Sequence, residues 1–209
     1  HLSLRRQRQM CIRDSSRAAI KAEWKSLMIA RKKANVPLVI GSCGTCGTNG
    51  MVDWMENITI ELAEELNQNI KIAKLYCQQE KNFIKKKIQL SKIFPLNPAP
   101  MLNDQLIDEM TNIVALAGAE QIQECINTGA EIILAGRTTD TAIISALPLM
   151  KGANPGSSWH GAKVVECGAL CSTNPTSGVV MVEFDKTGFT VEPMSKNAFC
   201  TSETVAAHM

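Results

Sequence analysis

The chain has 209 residues, of which 45% are hydrophobic, 20% charged and 4% aromatic, and its formal net charge is +2. That globular profile excludes collagen-like, mucin-like and fully disordered chains. No apolar run approaches the roughly 18–20 residues of a membrane helix, and eight Cys, about 4%, fall below the density of secreted disulfide scaffolds.

The first 33 residues hold ten Lys/Arg against two acids, a net charge of +8, which leaves −6 on the rest. A basic arm can signal nucleic acid, a membrane surface or a presequence. The string Arg8-Gln9-Met10-Cys11-Ile12-Arg13-Asp14-Ser15 instead looks like translated adapter sequence. Residues 1–15 are therefore expected to be no part of the fold, and residues 16–209 to form one α/β domain. The acidic balance of that body argues against nucleic-acid binding. No membrane partner is expected either.

Residues 16–33 read as a helix, with Ile20, Trp24, Leu27 and Met28 at helical spacing. The short apolar run 36–40 stops at Gly41 and suits a buried parallel strand. Met51, Met55, Ile58, Leu62 and Leu66 predict an amphipathic helix over 51–67. A second strand is predicted over 70–76 and a basic helix over 81–93, ended by Pro95, Pro98 and Pro100. Asn103 or Asp104 caps a helix predicted over 105–117, and another over 119–128 closes at Gly129. A third strand over 131–135 precedes a helix over 141–150. Residues 179–184 and 189–192 form a β-hairpin around Asp185-Lys186-Thr187-Gly188. The order βαβααβα followed by a hairpin predicts a mainly parallel sheet flanked by helices.

Open parallel sheets bind ligands beyond the carboxyl ends of their strands, so the loops there are the candidates. Gly41, Gly44, Gly47 and Gly50 fall every third residue between a strand and a helix. Free amides there, with the helix N-terminus, would favour a carboxylate or phosphate; a tight turn needing only small residues is the alternative. The spacing is not G-x-G-x-x-G, and there is no Walker lysine, so no nucleotide is implied. A second loop, Cys77 to Lys81, contains Glu80. The third, Gly136-Arg137-Thr138-Thr139-Asp140, holds the one Arg beyond position 31. Its planar fork suits a carboxylate or phosphate; an Arg137–Asp140 pair is the structural alternative.

Cys43-x-x-Cys46 and Cys167-x-x-x-Cys171 could supply four thiolates, but small residues in turns explain them better. No metal and no cofactor are predicted. Were the segment around 159–167 helical, His160, Lys163 and Glu166 would share one face and could do acid–base work; a solvated polar stripe is the alternative.

Four blocks carry a family resemblance: residues 37–47 (Pro-Leu-Val-Ile-Gly-Ser-x-Gly-Thr-x-Gly), 135–142 (Ala-Gly-Arg-Thr-Thr-Asp-Thr-Ala), 159–169 (Trp-His-Gly-Ala-Lys-x-x-Glu-Cys-Gly-Ala) and 205–208 (Val-Ala-Ala-His). In this order, with Val191-Glu192-Pro193 between the last two, the chain from about Leu27 to Met209 resembles the acyclic terpene utilisation family AtuA. The resemblance implies a cytoplasmic catabolic protein associated with citronellol- and geraniol-type compounds. Family members carry Ala or Gly where this chain has Cys43 and Cys46. They also have a preceding unit with its own Gly-rich loop, and further chain after Ala-Ala-His, so an internal fragment is implied.

The resulting expectation is a domain that binds a small carboxylate or an acyl thioester such as a CoA ester. Ser42, Gly44, Thr45, Glu80 and Arg137 are the candidate ligand-binding residues. Asp140, His160 and Glu166 are the candidate proton movers in a lyase- or hydratase-type step. A non-catalytic binding or scaffold subunit is the alternative, with a second copy or a partner subunit left open.

Overall fold

The computed structural model describes residues 16–99 and 101–209; the adapter-like segment 1–15 and Pro100 lie outside the described residues. The chain divides into two compact units. The first takes the chain up to Leu116 together with Ala130–Arg137, and the second takes Ala117–Gly129 and Thr138–Met209.

The first unit begins with α1, Arg17–Ala34. Ser16 caps it by accepting from the Ala19 N–H at 3.2 Å, and Arg31, Lys32 and Lys33 sit in its last turn, where the helix dipole favours cations. Trp24 and Met28 are buried, whereas Leu27, at helical spacing with them, is 47% exposed. Strand β1 is Leu38–Ile40, helix α2 is Asn49–Glu65 and strand β2 is Ile72–Leu75. Met55, Ile58 and Leu62 fill the interior from α2, as their spacing predicts. Ion pairs link α1 to α2: Arg17 and Lys21 to Glu61, Lys21 and Lys25 to Glu65. Beneath them the Trp24 indole N–H donates to the Thr59 hydroxyl at 2.9 Å, which donates to the Met55 carbonyl at 2.7 Å.

Strand β3, Ile132–Ala135, runs parallel to β1 on one side and β2 on the other, giving the order β1-β3-β2. All four β3 residues are buried, which explains an unbroken apolar run rather than an alternating one. Helix α3, Lys81–Gln89, follows β2, and a short α4, Asp104–Glu109, is capped by Asn103. The helix predicted over 105–117 stops at Met110, whose backbone is extended. Beyond it the backbone bonds instead to the segment after β2: Gln79 N–H to Ile113 C=O and Ala115 N–H to Cys77 C=O, each 2.8 Å. The β-branched Thr111, Ile113 and Val114 favour that extended course.

The second unit contains α5, Ala119–Asn127, and α6, Asp140–Met150, capped by Thr139. Helix α7, Pro155–Val165, is capped by Asn154 with Pro155 in its first turn. A 3₁₀ turn, Gly168–Cys171, leads toward the antiparallel hairpin of β4, Val180–Phe184, and β5, Phe189–Pro193. The Asp185 carboxylate accepts from the Thr187 and Gly188 N–H groups at the hairpin turn. A last helix, α8, Ser202–His208, was not signalled by a periodic apolar stripe; Thr201 caps it. Val164, Val165 and Cys171 form the core here, against Val180, Val182, Phe189, Val191 and Val205. Gly161 lets β4 and β5 lie close to α7, since a Cβ there would meet Phe184 and Phe189 at 2.7 and 2.9 Å.

The fold is α/β, with a three-stranded parallel sheet and a C-terminal hairpin. Among the described residues no helix is long and apolar enough to cross a membrane.

The buried Trp24–Thr59 bond yields a test of the first unit. Thr59→Val keeps the shape but leaves the indole N–H without a partner, which should cost about 1–3 kcal/mol. Urea denaturation measures it, and an unchanged midpoint would show that the bond contributes nothing net.

Candidate functional site

In the first unit the segments after all three strands meet at the carboxyl ends of the sheet. The Ser42 and Cys43 N–H groups donate to Gly136 and Ala135 carbonyls at 2.8 and 3.1 Å, and the Gly136 N–H donates to Leu75 C=O at 2.8 Å. The glycine loop turns through positive φ at Ser42, Gly44, Thr45 and Gly47. Gly47 is forced: a Cβ there would lie 2.4 Å from the Arg137 nitrogen. With no side chain in the way, the Arg137 N–H reaches the Gly47 carbonyl at 3.1 Å.

This packing opens a pocket of about 600 Å³ at the strand ends. Thr45, Cys46 and Thr48 line it from the loop, Met110, Thr111, Asn112 and Val114 from the extended segment after α4, and Arg137 from the end of β3. The Arg137 guanidinium donates to the Thr45 carbonyl at 3.2 Å and holds no ion pair among the described residues. Thr48 stands at the N-cap of α2 without capping it through its side chain, and no acidic residue occupies the first turn of that helix. The positive end of α2 thus stands beside the same pocket.

The loop amides do not form the run of free donors expected of an anion cradle. Those of Ser42, Cys43, Cys46 and Gly47 are all bonded within the fold, the last two to Gly44 and Cys43 carbonyls. Of the predicted ligand-binding residues, Thr45 and Arg137 come together in the pocket. Ser42 and Gly44 do not line it, and Gly44 packs on Met51. Glu80 precedes α3, exposed and outside the lining. The whole segment from Met110 to Val114 was missed, because it reads as the tail of a helix.

The predicted proton movers belong to the second unit. Asp140 opens α6 and is exposed. The Glu166 carboxylate accepts from the Thr141 hydroxyl and the Lys163 ammonium. Burial pushes its pKa up, but the Lys163 and Thr141 hydrogen bonds outweigh this and hold it below the ordinary carboxylate value. The same pair raises the pKa of Lys163, to which the charge of Asp140 adds. His160 stands on the exposed side of α7 with its ring edge-on to Phe189, centroids 5.2 Å apart. The step of three therefore joins Lys163 to Glu166 and directs His160 to an aromatic neighbour. His208 was not among the predicted movers, yet its charge also lowers the Glu166 pKa, and its Nε2 is buried with no hydrogen-bond partner among the described residues.

Cys43 and Cys46 lie in the first unit, Cys167 and Cys171 in the second. Among the described residues no group of three or more His, Cys, Asp or Glu is placed to hold a metal ion. Cys43 is fully buried, and that burial drives its thiol up to about 12.

The family model described as acyclic terpene utilisation family protein AtuA matches residues 21–197. No curated protein and no solved structure matches the chain.

Two outcomes follow from this geometry. Gly47→Ala adds a Cβ at a φ of +67° against the Arg137 backbone, so it should lower stability by more than about 1 kcal/mol and displace Arg137. Thermal melting together with ligand titration checks both effects. For Glu166 the folded pKa is lowered, so its stabilising contribution is present above the unfolded value of 4.5 and is lost as pH falls through the folded one. Glu166→Gln should therefore flatten the fall in stability between about pH 5 and pH 3, read from denaturation midpoints across that window.

Proposed function

The chain belongs to the acyclic terpene utilisation family AtuA, and from that premise we propose that it is a catabolic protein whose strand-end pocket takes the carboxylate or acyl-thioester end of a small apolar substrate. The observation that carries this reading is Arg137: a guanidinium with no ion pair among the described residues, inside a pocket of about 600 Å³. Its fork offers parallel N–H donors to a planar carboxylate or a thioester carbonyl. The hydroxyls of Thr45, Thr48 and Thr111 and the amide of Asn112 supply neutral hydrogen bonds around it. Met110 and Val114 give an apolar wall for a hydrocarbon tail. The start of α2, whose Asn49 N–H donates to the Gln78 side chain at 3.3 Å, adds the positive end of the helix dipole beside the pocket.

The chemistry we assign is a lyase- or hydratase-type step. Its candidate proton-moving groups, Asp140, His160 and Glu166, belong to the second unit, where the Glu166 carboxylate accepts from Lys163 and Thr141. A second reading, a binding subunit without chemistry of its own, is favoured by one observation. The residues lining the pocket include no carboxylate and no imidazole.

Calorimetric titration of the full chain with acyclic terpenoid acids and their CoA thioesters tests the binding step. Arg137→Ala should lose about 2–5 kcal/mol of affinity, and Arg137→Lys should weaken binding clearly while keeping the charge. A variant that melts lower yet keeps its affinity would instead make Arg137 a structural residue. Saturable binding that depends on Arg137, with no conversion of any bound compound, would select the second reading.

A further inference from the structure

Cys171 and Cys200 lie 29 residues apart in sequence, yet their Sγ atoms stand 3.9 Å apart in the second unit. Neither is bonded to another cysteine. The backbone holds their segments side by side: the Thr173 N–H donates to the Phe199 carbonyl at 2.9 Å, and the Phe199 N–H donates to the Thr173 hydroxyl at 3.0 Å. The Cys171 thiol points at the Gly168 carbonyl at 3.5 Å within its own 3₁₀ turn and is fully buried. Cys200 is half-buried and opens onto a cleft of about 450 Å³ that Val191, Met194, Lys196 and Phe199 also line. One thiol is therefore reachable from solvent, and the other waits behind it.

We propose that Cys171 and Cys200 are a redox-closable dithiol, a site of reversible disulfide formation that ties the segment leading into helix α8 to the 3₁₀ turn Gly168–Cys171. A disulfide needs the sulfurs at about 2.0 Å, so they must approach by roughly 1.9 Å. Side-chain rotation supplies that movement while the Thr173–Phe199 bonds keep the backbones in register. The oxidant is a peroxide that enters through the cleft. The Cys200 thiolate attacks hydrogen peroxide, its sulfur takes one oxygen to become a sulfenic acid, and hydroxide leaves. The Cys171 sulfur then displaces that oxygen as water, and the S–S bond forms. In sum, two thiols and one hydrogen peroxide give one disulfide and two waters.

Burial and the neighbouring Cys171 push the Cys200 thiol up to about 11. Its thiolate fraction, and with it the closing rate, should rise close to tenfold per pH unit between about pH 7 and pH 9. Closing a loop of this length constrains the unfolded chain, so the melting temperature should rise on the order of 5–10 °C. The site is independent of the Arg137 pocket, and its test does not depend on any ligand of that pocket.

The reduced full chain is treated with a few equivalents of hydrogen peroxide at about pH 8.5, its free thiols are counted against the eight in the sequence, and its peptides are mapped without reduction. The expected result is the loss of two thiols, a Cys171–Cys200 linked peptide as the main product, the rise in melting temperature, and reversal of both by dithiothreitol. In Cys171→Ser, which lacks the resolving thiol, Cys200 should instead be trapped as a sulfenic acid by dimedone. A map dominated by Cys167–Cys171 or Cys43–Cys46, or sulfinic acid at Cys200 without the link, would overturn the proposal. Because the wild-type map alone decides the pairing, a variant that fails to fold does not obscure it.

Discussion

The crossing of Gly47 over the end of β3 is the contact on which the first unit's pocket depends. Three backbones converge there without side chains between them. A Cβ on Gly47 would overlap the Arg137 nitrogen, and one on Gly136 would lie 2.9 Å from the Gly47 carbonyl and 3.0 Å from the Cys77 Cβ. Two glycines from different loops thus let the segments after β1, β2 and β3 close on one another. The amide bonds that result fix where Arg137 begins. The glycine-rich loop earns its composition through backbone proximity rather than through amides presented to a ligand. An anion in this pocket must then be recognised by a side chain, which places the burden on Arg137.

Several cations of the first unit are held by carboxylates, and Arg137 is not among them. Arg17, Lys21, Lys25, Lys74 and Lys85 all hold carboxylates within 4 Å. Arg31, 7% exposed, binds Glu131 through both terminal nitrogens, and the other Glu131 oxygen accepts from the Lys71 N–H. That part-buried pair joins the end of α1 to the start of β3 and commits the Arg31 charge there. The pairs on α1 and α2 are exposed and contribute little individually. Arg137, by contrast, donates to the Thr45 carbonyl and holds no ion pair among the described residues, so it keeps a charge for a ligand carboxylate.

Most of this was legible in the sequence for a physical reason. Buried parallel strands are unbroken apolar runs, and 132–135, after Glu131, reads as one; the 3.6-residue stripe of α2 is equally plain; Gly129 takes the positive φ that a helix end needs. The strand-end rule then led directly to Thr45 and Arg137. What escaped were features decided by distant partners. Residues 111–115 read as the tail of the helix predicted over 105–117, but their β-branched side chains and their amide bonds to residues 77–79 make them extended. Leu27 shares the spacing of Trp24 and Met28 but stays exposed, since periodicity places a residue on a face without saying how wide the buried stripe is. Helix α8 is too short for periodicity to reveal, and its signal was the Thr201 cap alone.

The segment Gly136-Arg137-Thr138-Thr139-Asp140 shows how a single short motif can serve two units. Arg137 ends the first unit, and Thr138 resumes the second. On one side the motif delivers a guanidinium to the strand-end pocket. On the other, Thr139 caps α6 by accepting from the Ala142 N–H at 3.2 Å, and Asp140 occupies the first turn, where the helix dipole favours a carboxylate. Thr141, one residue on, donates to Glu166 and so helps keep that carboxylate ionised. The adjacency of Arg137 and Asp140 in sequence therefore does not make them partners in charge. Each answers a different local demand, a cation with no ion pair among the described residues at a sheet end and an anion at a helix start, and five consecutive residues meet both because a strand end and a helix start are the same stretch of chain.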